Sequence, residues 1–270
     1  MAEITVAKTA GFCFGVDRAV KLVYAELEKG GRVATLGPII HNADVVNDMI
    51  AKGARIVSSV EELEPGERVV IRSHGVGRKI YDQIAAKGNP LIDATCPFVA
   101  RIHKIVAEQS AKGYFILIAG DASHPEVQGI VGHCDENCAV FKDETELKCY
   151  IDKNSPKFKK KLAIVAQTTY NIIVWEKCLK EIPENDSNVV IFDTICNATE
   201  KRQSDARSLA EKSDLMLVVG GKHSSNTVKL SEVCSKYCKV LHIENARELH
   251  SLKIPFAENI GITAGASTPA

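Results

Sequence analysis

Apolar residues along the chain follow two alternating patterns. Short runs such as Phe115-Ile116-Leu117-Ile118-Ala119, Leu162-Ala163-Ile164-Val165-Ala166 and Leu215-Met216-Leu217-Val218-Val219 contain no polar residue. Runs this short and this apolar predict strands buried on both faces. Between them, apolar residues recur three and four apart, as at Phe98, Val99, Ile102, Ile105 and Val106, which predicts amphipathic helices. Strands are expected over residues 4–7, 32–36, 68–72, 90–93, 114–119, 162–166, 189–192, 215–219, 239–243 and 260–263. Helices are expected over 16–28, 45–52, 79–87, 98–111, 127–132, 172–181, 199–212 and 228–237. The alternation predicts an α/β fold of parallel sheets with helices on both faces. The clearest loops are Asn154-Ser155-Pro156 and Pro183-Glu184-Asn185-Asp186-Ser187.

One arrangement recurs. In Asp93-Ala94-Thr95-Cys96-Pro97-Phe98 a strand ends, a turn carries a cysteine, and a helix begins. Pro97 suits the first helical position, where its missing N–H costs nothing. The helix N-terminus beside Cys96 is expected to favour its thiolate. Cys13 follows the strand at 4–7 in the same way, and Cys196 follows the one at 189–192; Asp93-x-x-Cys96 and Asp193-x-x-Cys196 match in outline. These separations are far too long for a local zinc or ferredoxin motif. They predict three similar α/β units, duplicated domains rather than a solenoid, each offering one cysteine to a shared centre. A lone strand-end cysteine is usually a small core residue. Three in equivalent places argue for a metal or cluster. Three thiolates neither close a structural zinc site nor saturate a four-iron cluster, so one metal position stays open to a substrate.

Polar residues also gather where strands end: His41-Asn42, Ser73-His74-Gly75, Gly120 to Glu126, Gln167-Thr168-Thr169, Gly220 to Asn226, and Thr263 to Ser267. Ligands of open parallel sheets bind beyond the carboxyl ends of the strands, so one pocket is the economical reading. Singly, His41, His74 and His124 read as structural histidines; together they can supply charge and donors to a phosphate. Ser224-Ser225-Asn226 before a helix reads as an anion cradle or as an ordinary N-cap. Glu126 is either an acid near the open site or an exposed first-turn glutamate. Cys234 and Cys238 are expected with Leu230, Val233 and Tyr237 on the apolar face of one helix, and Cys134 and Cys138 as free thiols about a turn. Cys149 and Cys178 carry no signal, and His103, His223, His242 and His250 are assigned to surface or core.

A length of 270 residues suits about two ordinary domains. The formal net charge is zero, which gives no electrostatic support to nucleic-acid or membrane binding. The basic run from Lys157 to Lys161 reads as a solvated loop. No apolar run approaches the ~20 residues of a membrane span. Nine cysteines without a secretory signal fit a reducing cytoplasm.

Taken together, these motifs strongly resemble the 4-hydroxy-3-methylbut-2-enyl diphosphate reductase family of the methylerythritol phosphate route to isoprenoids. The matching stretches are Gly11-Phe12-Cys13-Phe14-Gly15-Val16-Asp17-Arg18-Ala19, His41-Asn42, Ser73-His74-Gly75-Val76, Asp93 to Pro97, His124-Pro125-Glu126-Val127, Gln167-Thr168-Thr169, Ile195-Cys196-Asn197-Ala198-Thr199, Gly220-Gly221-Lys222-x-Ser224-Ser225-Asn226 and Thr263-Ala264-Gly265-Ala266-Ser267-x-Pro269. They span nearly the whole chain, in the family's order. The resemblance implies three α/β lobes arranged as a trefoil around a central cavity: residues 14–96, residues 97–195, and residues 196–270 with 1–13. It implies that Cys13, Cys96 and Cys196 hold a 4Fe–4S cluster whose fourth iron has no protein ligand. It also implies that His41, His74, Ser224, Ser225, Asn226 and Ser267 bind diphosphate, while His124, Thr168 and Glu126 surround the substrate hydroxyl. The family usually continues past its Ala-Ser-x-Pro motif with another helix, whereas this chain stops at Ala270.

The implied reaction is reductive loss of an allylic hydroxyl, giving isopentenyl and dimethylallyl diphosphates in the bacterial cytoplasm. Electrons would come from ferredoxin or flavodoxin, and Glu126 with Thr168 would deliver the proton to the departing oxygen. One competing reading is a non-catalytic iron–sulfur sensor, which needs neither a diphosphate cradle nor a carboxylate at the open iron. Another is a zinc hydrolase using His41, His74 and His124, which leaves the three equivalent cysteines without a role.

Overall fold

The computed structural model describes residues 2–152, 161–182 and 187–269. The expected loops at 154–156 and 183–186, and residues 157–160 of the basic run, lie outside the described residues.

In chain order the elements are β1 (Glu3–Val6), α1 (Phe14–Glu28), β2 (Val33–Leu36), α2 (Ala43–Ala51), β3 (Ala54–Val57), β4 (Arg68–Ile71), α3 (Arg78–Lys87), β5 (Leu91–Asp93), α4 (Pro97–Ala111) and β6 (Phe115–Ala119). There follow α5 (Pro125–Val131), β7 (Cys138–Phe141), α6 (Glu144–Ile151), β8 (Leu162–Ala166), α7 (Ile172–Glu181), β9 (Val189–Ile191), α8 (Asn197–Ala210), β10 (Leu215–Val219), α9 (Ser225–Cys234), β11 (Lys239–Ile243) and β12 (Asn259–Ala264). The strands form three four-stranded parallel sheets, ordered β3-β2-β4-β5, β7-β6-β8-β9 and β11-β10-β12-β1. The three orders are equivalent. In the last sheet the fourth place is taken by the first strand of the chain, with Glu3 opposite Asn259.

Side chains alternate across each sheet, so successive residues feed different cores. In the second lobe Phe115, Leu117 and Ala119 pack with Leu147, Trp175 and Cys178 of α6 and α7. Ile116 and Ile118 pack on the other face with Ile102, Val106, Val127 and Ile130 of α4 and α5. Each such aliphatic side chain contributes about 1.5–3 kcal/mol on burial. The first sheet is likewise covered on both faces. The third departs from the expectation. Met216 and Val218 meet α8 and α9, but among the described residues Leu215 and Leu217 cluster with Ala257, Leu241, Leu249, Ile260 and Ile262, and none of these lies on an α-helix. Ile4 and Val6 on the adjoining edge strand are 61% and 58% exposed.

The pattern-based reading misses three elements. Ala54-Arg55-Ile56-Val57 and Cys138-Ala139-Val140-Phe141 are short strands on sheet edges, too brief to set up a period. Helix α6 buries only Leu147 and Ile151, four residues apart, too sparse a stripe to stand out. Helix α9 also ends earlier than expected: Cys234 is in the core, Cys238 lies beyond the helix but packs against that core, and Tyr237 is exposed. All nine cysteines are free of disulfides.

Candidate active site

The equivalence of the sheets carries into their loops. The first strand of each lobe is β2, β6 or β10, and five residues beyond its end stand His41, His124 and Ser224. The third strand is β4, β8 or β12, and three residues beyond its end stand His74, Thr169 and Ser267. The fourth strand is β5, β9 or β1, and each leads to a cysteine that is the N-cap of the next helix: Cys96 for α4, Cys196 for α8 and Cys13 for α1. Each cysteine N–H donates to a carbonyl two residues past the third strand of the sheet whose fourth strand leads to it. Cys96 donates to Ser73 O at 2.9 Å, Cys196 to Thr168 O at 3.1 Å, and Cys13 to Ala266 O at 3.2 Å. All three loop sets open into one cavity. Every residue singled out from the sequence lines it: Cys13, Cys96, Cys196, His41, His74, His124, Glu126, Thr168, Ser224, Ser225, Asn226 and Ser267.

The cysteines are half-buried. Here the expectation of a favoured thiolate is corrected. Burial pushes the Cys96 thiol up to about 11, although N–H groups of Phe98 and Val99 pull the other way. Burial also pushes the Cys196 thiol up, against its hydrogen bonds with Thr199. Desolvation outweighs the helix N-terminus, so a bound cation must displace the protons, as coordination of a thiol does. Three soft sulfur donors, each set by its own backbone hydrogen bond in a shared cavity, suit an iron–sulfur cluster with one iron left free of protein ligand.

Gly15 sets how closely the first two sulfur-bearing turns approach. A Cβ built there would stand 2.5 Å from Cys96 Sγ. Gly15→Ala is therefore expected to push Cys96 aside and to lower iron content at least several-fold at unchanged fold. Iron analysis beside a circular dichroism melt checks this.

Glu126 is not the exposed first-turn residue that was its plainer reading. It is 3% exposed. Its Oε1 accepts from the Thr168 N–H at 2.6 Å and its Oε2 from Thr168 Oγ1 at 2.8 Å. Burial raises its carboxyl to about 7, against both of those bonds. It can therefore hold or release a proton near neutrality.

The three histidine rings meet at centroid distances of 4.7, 5.5 and 5.4 Å. Burial, together with Arg72 and the neighbouring rings, holds all three below the usual imidazole range, His124 at about 4. They are neutral near pH 7. His124 Nδ1 accepts from the Glu126 N–H at 3.2 Å, which leaves its proton on Nε2. Among the described residues, His41 Nε2, His74 Nδ1 and Asn226 Nδ2 are buried without a hydrogen-bond partner. Buried polar atoms are rarely left so unless a ligand completes them. Ser224 caps α9 through the Thr227 N–H, and Ser225 Oγ lies 3.0 Å from Thr169 Oγ1. The histidine nitrogens also lie within 4.8 Å of one another, close enough to hold a metal ion.

The profile of the LytB protein family matches residues 4–270. The chain belongs to the LytB family. A relative from Caldanaerobacter subterraneus subsp. tengcongensis, 46% identical over 272 residues, is named 4-hydroxy-3-methylbut-2-enyl diphosphate reductase; the match covers 99% of this chain and 92% of that protein. One from Clostridioides difficile bears the same name at 42% identity, covering 99% and 95%. Among solved structures, E-1-hydroxy-2-methyl-but-2-enyl-4-diphosphate reductase from Plasmodium falciparum superposes with a TM-score of 0.88 at 25% identity, covering 99% of this chain and 84% of that one. A second, (E)-4-hydroxy-3-methyl-but-2-enyl diphosphate reductase, described as the terminal enzyme of the non-mevalonate pathway, gives 0.69 at 39% identity over 100% and 95%. LytB proteins are iron–sulfur enzymes. No described helix is long and apolar enough to cross a membrane.

Sequence reasoning gave no role to Gly15, Ser73, Thr169 or Arg202, which also line the cavity. The fixed offsets from the strand ends pick out Ser73 and Thr169. Nothing local marks Arg202, which lies mid-helix.

Proposed function

We propose that this chain reduces (E)-4-hydroxy-3-methylbut-2-enyl diphosphate to isopentenyl and dimethylallyl diphosphates. The carrying observation is that three N-cap cysteines, a buried protonatable glutamate and an unsatisfied polar cradle share one cavity. Cys13, Cys96 and Cys196 are its cluster ligands. A 4Fe–4S cluster on them would supply a Lewis-acidic iron and a path for electrons, taken from ferredoxin or flavodoxin. The working lobes are residues 14–96, 97–195, and 196–270 with 1–13, in the cytoplasm of a bacterium.

The residues divide the rest of the work. His41, His74, Ser224, Ser225, Asn226 and Ser267 bind the diphosphate, and the α9 N-terminus adds its N–H groups. Two electrons and two protons are consumed: one proton leaves with the hydroxyl oxygen as water, the other ends on carbon. Glu126 holds the first proton, and Thr168, hydrogen-bonded to it through both backbone and hydroxyl, fixes the carboxyl and relays. The His124 ring, braced by the Glu126 N–H, offers its Nε2 proton to the substrate. Burial of the cavity walls keeps competing water from this proton.

Anaerobically reconstituted protein given a strong reductant should convert the allylic diphosphate into the two products. A loaded cluster without turnover would favour the sensor. Activity with zinc alone would favour the hydrolase that the histidine geometry permits. A further outcome concerns the cradle. His74→Ala or Asn226→Ala is expected to keep the cluster and to weaken inorganic diphosphate binding by about 10- to 150-fold, the equivalent of about 1.5–3 kcal/mol for a hydrogen bond to a charged group. Calorimetric titration measures it.

A further inference from the structure

Arg202 is a charged side chain in the cavity that the reaction above does not use. It lies on the buried face of α8 and is 4% exposed. Its Nη1 donates to Ala264 O at 2.8 Å. No carboxylate oxygen lies within 4.0 Å of it among the described residues. A guanidinium keeps its charge under nearly all conditions, and a buried charge persists where an opposite charge compensates it. The nearby acid on its own helix is Asp205, whose Oδ2 already accepts from the N–H and Oγ1 of Thr9 at 2.9 Å each. Burial pulls the Arg202 guanidinium below its usual range, and negative charge on Cys13, Cys196 or Asp205 would offset that pull.

We propose that Arg202 is the fixed counter-charge of the three-cysteine centre, compensating the negative charge that its thiolates bring and that each arriving electron adds. The inference rests on the reading that Cys13, Cys96 and Cys196 hold the cluster. The reduction potential of such a centre follows its net charge and its surroundings. A positive charge fixed in a desolvated wall favours the reduced state, because little solvent lies between to screen it. Arg202 is thus a positioning residue in the electrostatic sense: it sets how readily the centre accepts electrons. Its plainer role is a clamp on the loop after β12, which carries Ser267 and the Ala266 carbonyl that holds Cys13.

The two roles separate in three variants of the full chain, loaded with iron and sulfide under anaerobic conditions. Arg202→Lys keeps the charge, Arg202→Gln keeps an N–H donor for Ala264 O without the charge, and Arg202→Met keeps neither. Iron and sulfide content and the midpoint potential are measured without substrate. The potential is expected to stay near that of the parent in the Lys variant. It should move to more negative values by a similar amount in the Gln and Met variants. Loading that survives in Lys but fails in folded Gln and Met protein supports the same conclusion. A parent-like potential in the Gln variant would overturn the proposal, and so would failure of folded Lys protein to load, since either makes the clamp sufficient. Should the Met variant not fold, the Lys and Gln pair decides. A parent protein that binds no iron would instead overturn the ligand assignment, and this proposal with it.

Discussion

A Cys96→Ser protein is expected to fold as the parent does, to lose its competent cluster, and to lose more than about 100-fold in turnover. A hydroxyl is a poor partner for cluster iron, and removing even a supporting group of a metal site already costs 10- to 100-fold. The fold should survive because Cys96 is held through its backbone N–H to Ser73 O, which serine retains. Cys13→Ser and Cys196→Ser should behave alike, given their equivalent tethers to Ala266 and Thr168. Cys149→Ser is the control: the residue is exposed and does not line the cavity, so iron content and rate should be unchanged. Iron analysis, the visible spectrum and single-turnover assays measure the set. Full iron in Cys96→Ser with normal turnover would remove Cys96 from the ligands.

Glu126→Gln is expected to load its cluster, bind substrate normally and turn over 10²- to 10⁴-fold more slowly, the usual share of a general acid. The loss should fall on kcat with little change in KM, because the proton matters as the C–O bond breaks. The parent has a further signature. Burial raises the Glu126 carboxyl from its ordinary value to about 7, so the proton is present below that pH and lost above it. The rate of the parent should therefore fall as pH rises through about 7, and the residual rate of the variant should lack that limb. The same raised value sets the sign for stability. Below about 4.5 the carboxyl is protonated whether the chain is folded or not. Between about 4.5 and 7 the unfolded chain ionises first, so stability declines over that window. Stopped-flow rates across pH with a strong reductant check the kinetic part. A parent-like kcat in Glu126→Gln would show that another group carries the proton.

The sequence was informative where chemistry is concentrated at strand ends. Cys13, Cys96 and Cys196 stand out because each follows an apolar run and opens a helix, and the structure makes each an N-cap. The polar clusters at His41, His74, His124 and Ser224 were legible for the same reason, since parallel strands discharge into one end of a sheet. Three things were not legible. The thiol acidity of Cys96 depends on burial by residues distant in sequence, and that burial reversed the expectation drawn from the helix alone. The burial of Glu126 depends on Thr168, 42 residues away. Arg202 looks like an ordinary helix residue until the cavity is assembled around it. Of the elements, β3, β7 and α6 escaped because their apolar stripes are only a few residues long.

The pairing of β1 with β12 also fixes an order of events on the ribosome. The strands of the first and second sheets lie within continuous stretches, Val33 to Asp93 and Phe115 to Ile191, and can pair as soon as those stretches have emerged. Strand β1 emerges before both of these stretches, yet its partner begins at Asn259. It must wait, with Ile4 and Val6 unpaired, until the strands of both other sheets have been made. The carbonyl that holds the Cys13 N–H, Ala266, arrives later still. Closing a loop of that length is entropically costly and slow relative to local pairing. Cys96 and Cys196 can thus be tethered as the chain emerges, but Cys13 is tethered only after Ala266 has emerged. The three-cysteine site is complete only once all three sheets have formed.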